Sequence, residues 1–367
     1  MNIAYRFRIY PTEEQKILLG KTFGCCRFLY NQMLNDKIRE YEKTKKMLKN
    51  TPAMYKREYP FLKEVDSLAL ANVQLHLEKA YKNFFRDPKI GFPRFKSKHH
   101  SRNSYTTNVV NGNILVESKR IRLPKLKWIA MKKHREPAEG LRLKSVTVSM
   151  EPSGKYFASL LYEGDSCENQ AAEPDYSTAK ILGIDYAMQG MAVFSEEIEM
   201  EEAGFFRKNE KRLVREQRKL SRCVRGSHNY ELQKKKVARC HEKIRNQRRD
   251  HLHKLSRKIA DGYDAAAVED IDMKAMGQCL HFGKSVHDNG YGIFREMLDY
   301  KLAWKGKKIV KVDRFFPSSK KCCQCGRIKK ELKLSERVYH CVCGNEMDRD
   351  RNAAINIREE ARRMLTA

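Results

Sequence analysis

Residues 315–357 read F-F-P-S-S-K-K-C-C-Q-C-G, a charged stretch, and then H-C-V-C-G-N-E-M-D-R-D-R-N-A-A-I-N-I. Two cysteine groups, Cys322-x-x-Cys325-Gly and Cys341-x-Cys343-Gly, stand 15 residues apart. This is close to the four-thiolate zinc pattern. Four thiolates leave zinc no open position, so a site of this kind is structural. The second group has one residue between its cysteines instead of two, and Cys323 and His340 are spare donors beside the set. The favoured ligands are Cys322, Cys325, Cys341 and Cys343. Directly after them, Asp348 and Asp350 open a helix-like run. A closed knuckle pair therefore delivers acidic side chains to a defined place.

Working upstream, two more acids stand at the ends of apolar strands. I-L-G-I-D-Y-A, from Ile181, carries Asp185, and D-A-A-A-V-E-D-I, from Asp264, carries Glu269. Strand-end carboxylates are common singly as caps. Three in separate segments suggest a cluster at one end of a sheet. Crowded carboxylates repel unless cations sit among them. Two magnesium ions about 3.5–4 Å apart would bind the attacking and leaving oxygens of a phosphodiester. No Walker loop, G-x-S-x-G elbow or H-E-x-x-H is present, so NTPase, hydrolase-elbow and zinc-protease chemistries lack their residues.

The chain has 367 residues, 75 Lys+Arg against 46 Asp+Glu, and a formal net charge of +29. A basic field spread over several segments attracts polyanions, nucleic acid first. No run reaches the roughly 18 apolar residues of a membrane span, and the N-terminus lacks a signal-peptide core. Five of the 11 cysteines lie in the terminal cluster, which suits a metal site in a reducing cytosol better than a disulfide framework.

In chain order, Asn2 to Tyr10 alternates as a strand, with Ile3, Tyr5, Phe7 and Ile9 on one side. Pro11 and Thr12 start a long charged helix to about Lys49, and a second amphipathic helix follows Pro60. Its polar face carries Asn72, His76, Lys79 and Asn83. That face reads either as solvated surface or as contacts to base edges, since Asn can bond adenine bidentately. Gly91–Arg102 is an aromatic-basic loop, with Arg94 and Lys96, suited to phosphate contact and stacking. From about Tyr105 to Tyr162 short alternating strands (Ile114–Val116, Ile121–Leu123, Ser145–Met150, Tyr156–Leu161) predict a small antiparallel barrel or sandwich that the first strand can join. Residues 166–179 read as a linker. Phe206 to about Lys258 reads as two basic helices broken near Gly226, and 273–292, with four glycines, reads as a lid. A helix over Ile293–Trp304 and a strand over Lys307–Asp313 complete the pattern.

G-I-D-Y-A-M-Q-G-M-A-V-F, V-E-D-I-D-M-K-A-M, F-F-P-S-S-K-K-C-C-Q-C-G and D-R-D-R-N-A-A-I-N-I resemble, in order, the signature blocks of the transposon-encoded TnpB proteins, relatives of the type V CRISPR nucleases. Y-R-F-R-I-Y-P-T-E-E-Q, C-C-R-F-L-Y-N and A-Y-K-N-F-F resemble the opening blocks, so the likeness spans nearly the whole chain. It implies an α/β multidomain protein: an RNase H-like (RuvC-type) nuclease domain with a zinc-ribbon insertion, and an N-terminal β-barrel wedge domain with a helical recognition insertion. The implied boundaries are 1–10 and 103–165 for the wedge, 11–102 for the recognition helices, 180–316 and 346–367 for the nuclease domain (basic arm 206–260), and 317–345 for the zinc ribbon. The family's catalytic acids fall on Asp185, Glu269 and Asp350, with Asp348 as runner-up to Asp350. The implied partners are a guide RNA from the transposon end and double-stranded target DNA beside a short transposon-adjacent motif, in the prokaryotic cytosol and on the nucleoid. A guided DNA-binding regulator without cleavage is the alternative, and retention of all three acids weighs against it.

Overall fold

The computed structural model describes residues 2–98, 100–164, 174–187, 190–199, 204–272, 290–333 and 335–367. They fall into two compact units, Met1–Ser166 and Cys167–Ala367. Most of the expected linker at 166–179 and nearly all of the expected lid at 273–292 lie outside the described residues.

The first unit is built on strand β1 (Asn2–Tyr10), which pairs antiparallel with β7 (Tyr156–Glu163) along its length and with β5 (Lys127–Lys132) at its end. The sheet also holds β2 (Asn103–Asn108), β3 (Leu115–Val116), β4 (Arg120–Leu123) and β6 (Arg142–Met150), in the order β2-β6-β7-β1-β5-β4-β3. Helix α1 (Glu13–Thr44), short α2 (Pro52–Glu58) and α3 (Ser67–Arg86) are thus inserted between two strands of one sheet, β1 and β2, which β6 and β7 separate. Thr12 and Gln15 form a reciprocal capping box at the start of α1. The Gln15 amide also donates to the Leu126 and Trp128 carbonyls, both at 2.9 Å, which fixes the helix start to the β4–β5 turn. Phe7 and Ile9 of β1, Val148 and Leu160 share one buried core with Leu29 and Met33 of α1 and Leu70 and Leu77 of α3.

The second unit is organised on a four-stranded sheet, β11-β10-β8-β9. β8 (Ile181–Ala187), β10 (Ala265–Glu269) and β11 (Lys308–Val312) are parallel, and β9 (Met191–Phe194) returns antiparallel to β8. Side chains alternate between the faces of a strand, and here the two faces receive different helices. Leu182, Ile184, Ala266 and Val268 pack with Leu252, Leu255 and Ile259 of α5 (His228–Gly262) and Phe294 and Leu298 of α6 (Tyr291–Ala303). Ile181, Ala265, Ala267 and Val312 pack with Ile357 and Ala361 of α7 (Arg349–Thr366). α4 (Phe205–Ser221) lies along α5 through Leu213, Cys240 and Ile244.

Gly183 shares the α7 face of β8 with Ile181 and Asp185. A β-carbon on Gly183 would stand 1.9 Å from the Ala354 carbonyl oxygen and 2.9 Å from Arg358 Cβ. Only a residue without a side chain lets helix and strand approach this closely, and backbone cannot yield as a flexible side chain does. Gly183→Ala is therefore expected to lower unfolding stability by about 3 kcal/mol or more. Gly292→Ala, whose β-carbon would meet nothing within 4 Å, is expected to change it by about 1 kcal/mol or less. Urea unfolding of the two variants checks this; equal stabilities would refute the close-approach account.

Candidate active site and metal centre

The alternation that sends Gly183 toward α7 sends Asp185 to the same face, two residues on. β8 and β10 are in parallel register through Ile184 and Val268, so the next residue of each strand, Asp185 and Glu269, lies side by side at the carboxyl end of the sheet. The third acid comes from the first turn of α7. Asp348 is the N-cap of that helix, its carboxylate accepting from the Asp350 and Arg351 amides, both at 2.9 Å. The cap thereby occupies Asp348 and leaves Asp350 one turn before Ala354, the residue pressed on Gly183. The two aspartates of D-R-D thus stand in different surroundings, one spent on the cap and the other near Asp185.

Asp185 is 8 % exposed. Burial pushes its carboxyl well above the usual range, and the charges of Glu269 and Asp350 push it further, against the Tyr186 amide and the Arg349 guanidinium. Glu269 is also raised by burial, opposed by the Ser318 hydroxyl, which donates to its Oε1 at 3.0 Å. Arg349 donates to Asp350 Oδ1 at 3.2 Å from both Nε and an Nη, and Arg337 stands 3.9 Å from Oδ2. The fully buried Tyr291 phenol is raised by burial and by the Asp185 charge. A carboxylate forced toward its neutral form by its neighbours is a place where a cation is favourable. The donors are all oxygens, which suits a hard divalent ion.

The four cysteines Cys322, Cys325, Cys341 and Cys343 converge, their Sγ atoms all within 4.8 Å of one another. Among the described residues this is the one group of three or more potential ligands so close together; the three carboxylates interact without reaching that spacing. Each cysteine group turns through a glycine in the left-handed region, Gly326 at φ 75° and Gly344 at φ 89°. The Gly326 and Gly344 amides donate back to the Cys322 and Cys341 carbonyls, both at 3.0 Å. Cys323 stands outside the set, its Sγ 3.5 Å from the Met347 sulfur, and burial raises its thiol. His340 also stands outside, with Nδ1 3.5 Å from Glu346. The set fits a tetrahedral thiolate-bound ion with no open position.

In the first unit, Asn72, His76 and Lys96 line one pocket of 180 Å³ with Arg27, Arg102 and Tyr105. The Asn72 amide donates to the Leu68 carbonyl at 2.9 Å, which leaves its oxygen for another partner. Partial burial and the Lys96 and Lys79 ammoniums push His76 down. Lys96 lies over the Tyr30 ring at 3.9 Å. Lys79 and Arg94 are exposed, Asn83 is half-buried, and none of the three lines the pocket. On the second unit, Arg207, Lys211, Arg215, Arg218 and Arg222 form a trough along α4. Ser318, Arg349 and Tyr291 escape a reading of motifs, because only folding brings them to the acids.

Comparison with known proteins agrees with this architecture. Residues 160–279 match a family described as "Probable transposase", 291–357 one described as "Cas12f1-like, TNB domain", and 1–46 one described as "Helix-turn-helix domain". In this chain residues 2–44 form a strand and one uninterrupted helix, not two helices. A Streptomyces pristinaespiralis protein named "Putative RNA-guided DNA endonuclease" is 34% identical over 366 residues, covering 96% of this chain and 88% of its own. InsQ of Escherichia coli K12, with the same descriptive name, is 31% identical, covering 96% and 91%. A cryo-EM structure of a Cas12f1–sgRNA–target DNA complex shares the fold at TM-score 0.58 and 13% identity, covering 98% of each chain. The chain belongs to the transposon-encoded TnpB family. No helix among the described residues is long and apolar enough to cross a membrane.

Two outcomes follow from the geometry. The native pKa of Asp185 lies above its ordinary value of 3.8. The unfolded chain therefore binds fewer protons between the two values, and the stability this group contributes falls as pH rises through that window. Asp185→Asn is expected to stabilise the metal-free protein at pH 7 by on the order of 1 kcal/mol or more, the gain vanishing where Asp185 is protonated in both states. Urea unfolding across pH checks it. Elemental analysis is expected to find about one zinc per chain, lost in Cys341→Ser and retained in Cys323→Ser.

Proposed function

We propose that this chain is an RNA-guided DNA endonuclease. The observation that carries the reading is the convergence of Asp185, Glu269 and Asp350 at one sheet end, with burial and mutual repulsion raising Asp185. On this reading the β8–β11 sheet with α5, α6 and α7 is an RNase H-like, RuvC-type nuclease domain, and 317–345 is its zinc ribbon. The sheet of the first unit is the wedge, with α1–α3 as its recognition insertion. The family membership, and the guide RNA and target DNA in the related Cas12f1 complex, support a guide RNA from the transposon end and a double-stranded target beside a short motif. The setting is the prokaryotic cytosol and nucleoid.

Asp185, Glu269 and Asp350 would hold two magnesium ions, which when bound supply the charge that activates water and stabilises the leaving oxygen of a phosphodiester. The chain's own residues do the rest. Asp348 fixes the first turn of α7, Arg349 orients Asp350, and the apolar strands keep Asp185 out of bulk water. Guide pairing reads sequence while the protein reads backbone shape. The α4 trough meets phosphates. Asn72, His76 and Lys96 in their pocket, with Lys79, Asn83, Arg94 and the aromatic loop nearby in sequence, contact bases and backbone. Cys322, Cys325, Cys341 and Cys343 hold a structural zinc.

Asp185→Ala is expected to slow cleavage of a guide-matched duplex in magnesium by roughly 1,000-fold or more, about 4 kcal/mol of transition-state stabilisation. Target affinity should stay within a few-fold. Cutting at the wild-type rate would overturn the catalytic assignment, and a wild-type complex that binds but leaves the duplex intact would favour a guided regulator.

A further inference from the structure

Between the carboxylates and the cysteines runs a short segment, Pro317 to Cys323, buried at Ser318 and Cys322, and α7 grips it at two positions one turn apart. The Asn352 amide donates to the Lys321 carbonyl at 2.7 Å, and its oxygen accepts from the Cys323 amide at 3.0 Å. The Asn356 amide donates to the Ser318 carbonyl at 2.8 Å and to the Lys321 carbonyl at 2.6 Å. Both asparagines are almost wholly buried, as is Ser318. One end of the gripped segment is Cys322, whose Sγ also accepts from the Asn345 amide at 3.4 Å. At the other end the Ser318 hydroxyl donates to Glu269.

Buried asparagines that satisfy loop carbonyls often serve stability alone. Here the grip is on backbone, which leaves the Ser318 hydroxyl free to meet the one carboxylate that faces Asp185 from the neighbouring strand. That hydroxyl is the one side-chain donor to Glu269 among the described residues. Resting on the nuclease reading above, we infer that Ser318 is a positioning residue for Glu269, and that Asn352 and Asn356 couple it to the four-cysteine site. Outer-shell partners of this kind fix which lone pair a ligating carboxylate presents. Order in the cysteine knuckle is thereby transmitted to the carboxylate site through a single hydrogen-bonded segment. The helix that carries Asp350 makes the connection.

Because both asparagines hold backbone atoms, Ser318→Ala removes only the hydroxyl and Ser318→Thr keeps one. In the guide-bound full chain, Ser318→Ala is expected to raise the magnesium concentration for half-maximal cleavage by about tenfold, with Ser318→Thr within about threefold of wild type. Target affinity and zinc content should be unchanged in both. Manganese binding to the full chain purified without nucleic acid, followed by electron paramagnetic resonance, should weaken in parallel. A wild-type metal requirement and manganese affinity in Ser318→Ala, or equal loss in both variants, would overturn the positioning role. In a double-mutant cycle, Ser318→Ala should matter less in a Cys343→Ser background than in wild type; strict additivity would overturn the coupling. The two readings fail separately. Wild-type chain whose manganese affinity depends on Ser318 but which cuts no guided target would overturn the nuclease and uphold the positioning. A chain that cuts regardless of Ser318 would do the reverse.

Discussion

The structure of the second unit depends on the contact between Gly183 and the Ala354 carbonyl. It sets the separation of α7 from β8, and with it the distance from Asp350 to Asp185. A strand and a helix normally keep their backbones apart by the thickness of a side-chain layer. Here the layer is missing at one position, two residues before an acid on the strand and one helical turn after an acid on the helix. Two carboxylates from segments some 165 residues apart in sequence are thus directed to one place by the lack of a side chain.

The cost of that arrangement is electrostatic. Asp185 is buried, raised by its neighbours, and opposed only in part by Arg349 and the Tyr186 amide. Natural folds retain such frustrated groups where function requires them. A divalent cation held there, as proposed, would relieve it, so the feature that weakens the metal-free fold would also favour binding of the metal. The net charge of +29 acts at longer range and in the other direction, drawing in the polyanion on which the carboxylates would act. Local negative charge within a positive molecule is what an enzyme for nucleic-acid backbones needs.

Much of this could be read from the chain alone, for identifiable reasons. Asp185 and Glu269 stood out because apolar runs end on them; both strands are buried on both faces, and the alternation of side chains between those faces then assigned the acids to one. The four cysteines stood out by spacing, and the shortened second group still closes with the first. The partnering of β1 with strands beyond three helices was legible from its alternation. Two strands were not: Asn103–Asn108 is polar, and Lys127–Lys132 hides its alternating Ile129 and Met131 among lysines. α2, from Pro52, was missed because seven residues carry too little periodicity. The resemblance ranked Asp350 above Asp348; that Asp348 is the N-cap of α7 is visible only in the fold. Ser318 was invisible because its role depends on Asn352 and Asn356, although their spacing of four on an otherwise apolar helix face was the available signal.

The central claim is that a carboxylate site in this chain cuts DNA chosen by a bound RNA. The most direct measurement replaces the variable end of the co-purifying RNA and maps cut positions on a duplex carrying the old and new complementary sites. The account predicts that cleavage moves to the new site and disappears from the old one, in magnesium and only with Asp185 intact. Cutting that ignores the RNA, or a duplex bound at the new site and left whole, would contradict it.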